Sequence, residues 1–494
     1  MKEPKGAANR FYVREGTRGD RFFCMRFSGV RFVVAIVSLS SWTCVQGCAE
    51  GENLATAQSG KKKKDAGHNG GDAKASVEGD VRMPHATLAA GTNHVCAILA
   101  EGQLKCWGSG YRGGIGAGDE RNRGERPSDM GASLVAVALD GKAISVVAGG
   151  DLTCAILEDE RLKCWGANTG GMLGLGDTMD RGGALNQMGS ALPAVDLGAQ
   201  SRVRGVSVSE THACALLEQG RIKCWGSNSY GELGVGDKIP RGAQLGQMGD
   251  ALPYVDLGKA HAAKAVSVGN GVTCAILDDD RIKCWGSGLL TGLSDPLNRG
   301  DVQASMGDDL PYVDLGTGRT ALSIVHARAV SCALLDDGSV KCWGGGGFGL
   351  LGSGSSTSIG GAPGEMGDAL RAVDVGTNRK VVRLYANAVA GNVCVLLDDT
   401  TSKCWGKSAT IGLDINRSTG DEPGEMGDRL PMLVLGTART ASEIGVGWLF
   451  ICARLDNDAI KCWGNGSAGK LGQGDLKNRF STSEMGDALP PISL

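Results

Sequence analysis

Lys-Cys-Trp-Gly occurs seven times in this chain, with its tryptophan at 107, 165, 225, 285, 343, 405 and 463, so that successive copies lie 58 to 62 residues apart. Self-similarity at a near-constant period is the mark of a repeat architecture in which each unit buries its apolar face against its neighbours. A second cysteine stands ten residues before each repeated one: Cys96 before Cys106, Cys154 before Cys164, Cys214 before Cys224, Cys274 before Cys284, Cys332 before Cys342, Cys394 before Cys404 and Cys452 before Cys462. The residues between them, as in CALLEQGRIKC (214 to 224), read as two strands around a turn. With Cys96 facing Cys106, Ile98 faces Leu104 and Ala100-Glu101-Gly102 is left as the loop, with glycine where a left-handed residue is needed. Gly220 and Gly338 repeat that glycine, whereas Glu160, Asp280, Thr400 and Asp458 replace it, which predicts four less relaxed turns.

Two further strand candidates accompany each hairpin, such as LPAVDLG (192 to 198) and RVRGVSVS (202 to 209). Four strands per repeat predict an all-β fold, a seven-bladed β-propeller of four-stranded blades over residues 85–494, with the tryptophans packed between blades. HATLAAG (85 to 91) has no counterpart of LPAVDLG before it, and LPPISL (489 to 494) has no hairpin after it. The C-terminal strand is therefore expected to join the first blade and close the ring, removing exposed sheet edges. The 80 glycines, about 16% of the chain, match this density of turns.

From Phe32 to Trp42 runs FVVAIVSLSSW, too short to span a bilayer and suited to a signal-peptide core. Residues 1–48 are read as a signal peptide whose true start is either Met1 or Met25. Val45-Gln46-Gly47-Cys48 approximates a bacterial lipoprotein box, so Cys48 is a lipidation candidate, beside ordinary cleavage near Ala49 or an uncleaved anchor. Residues 49–84, with Lys61 to Lys64 and few aliphatic residues, read as a disordered linker. Removing Cys24 and Cys44 with the leader, and Cys48 by lipidation, leaves fourteen cysteines, and in an oxidising compartment these predict seven local disulfides. Zinc fits poorly, because the pairs lack C-x-x-C spacing and histidine partners.

The repeat is clearest in HACALLEQGRIKCWGSNSYGELGVGD (212 to 237), where His212, Gly220, Trp225-Gly226, Asn228 and Gly231-Glu232-Leu233-Gly234 resemble the repeat of the regulator of chromosome condensation family of seven-bladed propellers. The resemblance covers about 410 residues and is strongest to exported bacterial members with paired cysteines. It implies the fold. For function it implies a range, since the family includes nuclear exchange factors and a secreted β-lactamase inhibitor that binds through propeller loops. The histidine two residues before the first cysteine remains only as His94 and His212, which argues against a shared catalytic or metal role. The loops after Trp285 and Trp405 are shortened.

A second repeated element is Met-Gly at 130, 188, 248, 306, 366, 426 and 485, with Arg123, Arg181, Arg241 and Arg299 seven residues before the first four. Methionine plugs and arginines bonded within their loops are the structural expectation, and an arginine ring for an anionic ligand is the functional one. Residues 81–494 hold 38 Lys+Arg against 45 Asp+Glu, so this acidic body is not expected to bind nucleic acid. No phosphate-loop, G-x-S-x-G or H-E-x-x-H motif appears, and no cofactor is predicted. Asp278-Asp279-Asp280 suggests calcium only weakly because it lacks the spacing of a calcium loop, and Arg299-Gly300-Asp301 is a short coincidence with adhesion motifs.

Features that break the repeat are the best binding candidates: Trp448 and Phe450 before Cys452, with Tyr385 and His326 in comparable connections, although packing against a neighbouring blade is the stronger expectation for them. The expectation is a non-enzymatic, extracytoplasmic recognition scaffold, either a bacterial outer-membrane or cell-surface lipoprotein or a secreted protein. It would be a monomer that binds a protein or cell-envelope partner through propeller loops and meets the membrane through its lipid anchor. The alternative is an envelope polysaccharide hydrolase or lyase, which needs paired carboxylates or a metal in the central pocket.

Overall fold

The computed structural model describes Met83 and residues 85–494, apart from 200, 408–411 and 413–416. The signal segment, Cys48 and the linker to residue 82 lie outside the described residues. Seven antiparallel sheets follow one another along the chain. In order, blade 1 has strands Leu88–Ala90, His94–Ile98 and Leu104–Gly108, and blade 2 has Ala143–Gly149, Leu152–Leu157 and Leu162–Gly166. Blade 3 has Val203–Val208, His212–Leu217 and Ile222–Gly226, and blade 4 has Ala263–Gly269, Val272–Leu277 and Ile282–Gly286. Blade 5 has Ala321–Ala327, Val330–Leu335 and Val340–Gly344, blade 6 has Val381–Tyr385, Asn392–Leu397 and Ser402–Gly406, and blade 7 has Ala441–Gly447, Phe450–Leu455 and Ile460–Gly464. Among the described residues no helix is long and apolar enough to cross a membrane.

The hairpins follow the expected register. In blade 1, Cys96 faces Cys106 and Ile98 faces Leu104. In the blades that follow, Cys154 faces Cys164, Cys214 faces Cys224 and Cys274 faces Cys284. Cys332 faces Cys342, Cys394 faces Cys404 and Cys452 faces Cys462 in the last three. Each of these pairs is bridged by a disulfide within its own hairpin, and no bridge runs between blades among the described residues. Glu160, Asp280, Thr400 and Asp458 all have φ between 63° and 69°. These four turns therefore hold left-handed residues without glycine, and β-branched Thr400 is the least suited to it.

Each sheet has three strands rather than the four expected. The LPAVDLG segments do lie outside the third strand, but they pair with it at a single point, as from Val195 N to Leu162 O (2.8 Å) and Val255 N to Ile222 O (2.9 Å), extended in blade 6 to an isolated pairing of Met432 with Lys403. Beyond that point the carbonyls of the segment bond the following blade. Asp196 O accepts from Gly249 N of the following blade, and Leu197 O accepts from Lys223 Nζ.

The C-terminal segment also departs from expectation. Ile492 N donates to Ile460 O (2.8 Å), so LPPISL is the outer segment of blade 7 and not a strand of blade 1. Blade 1 meets it through the contact used at the other junctions: Gly131 N donates to Ser493 O (3.0 Å), as Gly189 N does to Ala138 O and Gly367 N to Asp314 O. Leu88, Trp107, Phe450 and Ile492 share one buried cluster at this junction.

Every repeated tryptophan is fully buried. The indole Nε1 of Trp107, Trp165, Trp225, Trp285, Trp343 and Trp405 donates to a carbonyl of the preceding blade at 2.9 to 3.1 Å; for Trp107 that carbonyl is Lys470 O of blade 7. Met130, Met306, Met366 and Met485 are buried between blades, and Met188, Met248 and Met426 pack against the cores, as plugs.

Candidate interaction face and central cavity

The first strands of all seven blades line one cavity of about 610 Å³. Its walls are mainly Ala, Val, Leu and Ser, and the chain itself crosses both ends. At one end Met83 N donates to Arg204 O, the His85 ring bonds Ile144 O, and Thr87 donates through N and Oγ1 to Glu443. At the other, Asn387 reaches across from blade 6, its Nδ2 donating to Ala90 O (2.6 Å) and Ala148 O (2.8 Å). Ala388 O accepts from Asn270 Nδ2 and Arg328 N, so this one loop touches blades 1, 2, 4 and 5.

Two sequence candidates fall on the cavity wall. His326 is buried, accepts or donates at Nδ1 with Ser331 Oγ (3.0 Å), and burial pushes its pKa down to about 4. Tyr385 is half-buried, donates to Ser442 O (3.3 Å), and burial pushes its hydroxyl pKa up to about 12. Neither sits in an open rim site. Glu443 is the one carboxylate among the described residues lining the cavity, and its oxygens accept from Thr87. The paired carboxylates that a glycosidase uses are not assembled here.

Phe450 is fully buried in the junction of blades 7 and 1, which corrects its reading as a binding residue. The parity of the turn explains this: Trp448 and Leu449 form the turn, and Phe450 is the first residue of the next strand. Trp448 remains partly exposed on the loop rim. Arg328 Cζ lies 4.9 Å and Lys407 Nζ 4.7 Å from its ring, and both also lie 5.5 Å from the ring of Phe348. The four candidates therefore do not form one site. Trp448 instead joins Phe348, Arg328 and Lys407 in a cation–π cluster across blades 5, 6 and 7.

The repeated polar positions are engaged in structure. Arg123, Arg181, Arg241, Arg299 and Arg479 each pair with the aspartate four residues earlier, at 2.6 to 3.0 Å, which supports the structural expectation over a ligand-gathering arginine ring. His94 and His212 bond through Nε2 to Thr153 and Thr273 of the next blade, and burial holds their pKa values at about 4 and about 3. Asp279 pairs with Arg281 and Asp280 with Lys264, and the His261 ring lies in hydrogen-bond contact with Asp278 (3.1 Å), so these carboxylates are engaged by the protein's own side chains. Asp301 pairs with Lys238. The fourteen cysteines are all consumed in the hairpin bridges, Cys106, Cys164, Cys224, Cys284, Cys342, Cys404 and Cys462 each closing onto the cysteine ten residues earlier, so none of them offers a thiolate to a metal.

Sequence reasoning missed the lysine of Lys-Cys-Trp-Gly. Lys223, Lys283, Lys341, Lys403 and Lys461 are buried, and each Nζ donates to two carbonyls, one in its own Met-Gly loop and one in the outer segment of the preceding blade. It missed Asn387 too, although the longest repeat interval, from Trp343 to Trp405, marked the extra residues.

Residues 86–113, 143–171 and 203–232 match the regulator of chromosome condensation (RCC1) repeat. The chain is 25% identical over 411 residues to the ultraviolet-B receptor UVR8 of Arabidopsis thaliana, covering 79% of each chain. It is 26% identical over 274 residues to the human E3 ubiquitin-protein ligase HERC2, covering 55% of this chain but 5% of that protein. The structure of yeast RCC1 (Prp20) bound to Kap60 superposes with a TM-score of 0.54 at 17% identity, over 86% of this chain and 90% of that one. Three of its repeats thus match the RCC1 repeat and the chain shares the propeller fold of yeast RCC1, with a disulfide bridging the hairpin of every blade.

Proposed function

We propose that this protein is an exported, lipid-anchored and non-enzymatic recognition scaffold that binds a protein or cell-envelope partner through its propeller loops. The observation that carries this reading is the rigid presentation of a partly exposed aromatic–cationic cluster on loops pinned by disulfide-bridged hairpins. Loops fixed before binding lose little conformational entropy on binding, so contact energy is retained as affinity. The relatives support a binding role: one is named a receptor, and another was crystallised bound to Kap60. The cavity, crossed at both ends by the chain, favours the rim over an internal catalytic pocket.

Two experiments test this. Cys48→Ser should abolish lipid labelling of the exported protein, and unchanged labelling refutes the anchor. Affinity capture from native envelope with residues 77–494 as bait should retain a macromolecule. Retention of none, together with turnover of a purified envelope polysaccharide, refutes the scaffold.

A further inference from the structure

We infer that the Arg328–Phe348–Lys407–Trp448 cluster is the docking patch and that its partner presents an acidic peptide segment; this rests on the scaffold reading above. Charge favours such a partner. Among the described residues no carboxylate lies within ion-pair distance of Arg328, whereas Arg112, on a loop of the same kind as that of Phe348, is held by Asp180 at 2.6 Å. A guanidinium stacked on aromatic faces keeps its edge N–H donors available, in the planar fork that matches a carboxylate. The chain's own linker, residues 49–84, holds six Lys+Arg against six Asp+Glu, so it has no acidic excess with which to cover the patch.

The two cations are also pre-organised. Arg328 N is bonded to Ala388 O (3.0 Å) and Lys407 N to Gly391 O (2.7 Å), so the loop that crosses the cavity also positions both cations. Phe348 has φ of 61° within a tight turn and is 45% exposed. The backbone that carries the two cations is thus set before any partner arrives.

A peptide suits the patch better than a small anion. The cluster lies on an exposed rim, where a lone ion pair is worth only about 0–1 kcal/mol. Useful affinity there requires apolar bodies beside the carboxylates, covering the faces of Phe348 and Trp448. An acidic segment with interspersed apolar residues supplies both. Nucleic acid would also stack on aromatics, but the acidic body, with 38 Lys+Arg against 45 Asp+Glu, opposes a phosphate backbone.

The test is fluorescence anisotropy of the oxidised protein with a labelled peptide of alternating Glu and Leu. Saturable binding that weakens with salt is expected, reduced about tenfold or more by Arg328→Gln/Lys407→Gln and by Trp448→Leu. Tyr230→Ala, at the position of Phe348 in blade 3, should bind as wild type. No binding, equal binding of the Gln/Leu peptide, unchanged binding by both patch variants at wild-type melting temperature, or stronger binding of a single-stranded oligonucleotide each overturns the inference. Envelope capture separates the two readings. If Arg328→Gln/Lys407→Gln retains the wild-type partner, the patch is wrong and the scaffold stands.

Discussion

Replacing Lys283 by methionine should destabilise the propeller by about 2–4 kcal/mol. Lys283 is 1% exposed, and its ammonium donates to Leu257 O (3.1 Å) and Gly307 O (2.7 Å), joining blade 3's outer segment to blade 4's Met-Gly loop. Each hydrogen bond from a charged donor contributes roughly 1.5–3 kcal/mol, and its removal leaves a carbonyl without that partner. Against this stands the cost of burying the charge, which pushes the lysine pKa below its ordinary value, partly offset by Asp308 and Asp256. Methionine fills a similar volume and removes that cost, so the net loss is less than two full bonds. Lys105 is the internal comparison, being half-buried with one bond of 3.2 Å to Gly131 O; Lys105→Met should lose under about 1 kcal/mol. Urea unfolding under oxidising conditions, followed by tryptophan fluorescence, measures both. A Lys283→Met loss below about 1 kcal/mol, or equal losses for the two variants, refutes the inter-blade staple.

Thr400→Gly should stabilise the protein by about 0.5–1 kcal/mol, because relief of a left-handed β-branched residue exceeds the added freedom of glycine in the unfolded chain, and a lower urea midpoint would contradict this. Burial lowers the pKa values of His94, His212 and His326 to about 4, 3 and 4, so the unfolded state binds more protons below the ordinary histidine pKa. Stability should therefore fall as pH drops from about 6.5 toward 4, by up to about 3 kcal/mol per histidine, and His326→Asn should flatten its share of that slope in pH-resolved urea titrations. Deleting residues 489–494 removes the bonds of Ile492 to Ile460 and of Ser493 to Gly131, and should lower the melting temperature; an unchanged melt would count against this junction.

The hairpins were legible because opposed cysteines, a fixed offset and a glycine-bearing turn leave one antiparallel register available. The tryptophan's packing role was legible from its repetition. The fourth strand was not, since LPAVDLG alternates like a strand while its carbonyls are committed to Lys223 and Gly249, partners far away in sequence. The lysine staple was hidden for the same reason: a lysine beside a buried cysteine reads as the solvent face of a strand until the next loop covers it. Trp448 and Phe450 differ by two positions, yet one turns outward and the other inward, a distinction set by a two-residue turn that composition does not reveal. The partners of Trp448 come from blades 5 and 6, a juxtaposition available only once the ring is assembled.

Residues that recur in most blades have their bonding capacity consumed by neighbouring blades: the indoles and ammonium groups by carbonyls, the arginines by aspartates. Such positions hold the ring and have little left for a partner. The exceptions concentrate in one sector, where the extended loop at Asn387 crosses the cavity and also bonds the turn bearing Arg328, beside Lys407, Phe348 and Trp448. A ring of near-identical blades acquires direction there, because one side of its rim differs in shape, charge and aromatic exposure from the rest of the pattern. Substitution of a repeated residue should therefore act through stability, and substitution in this sector through binding at unchanged stability. The Lys283→Met and Arg328→Gln/Lys407→Gln variants measure that separation directly.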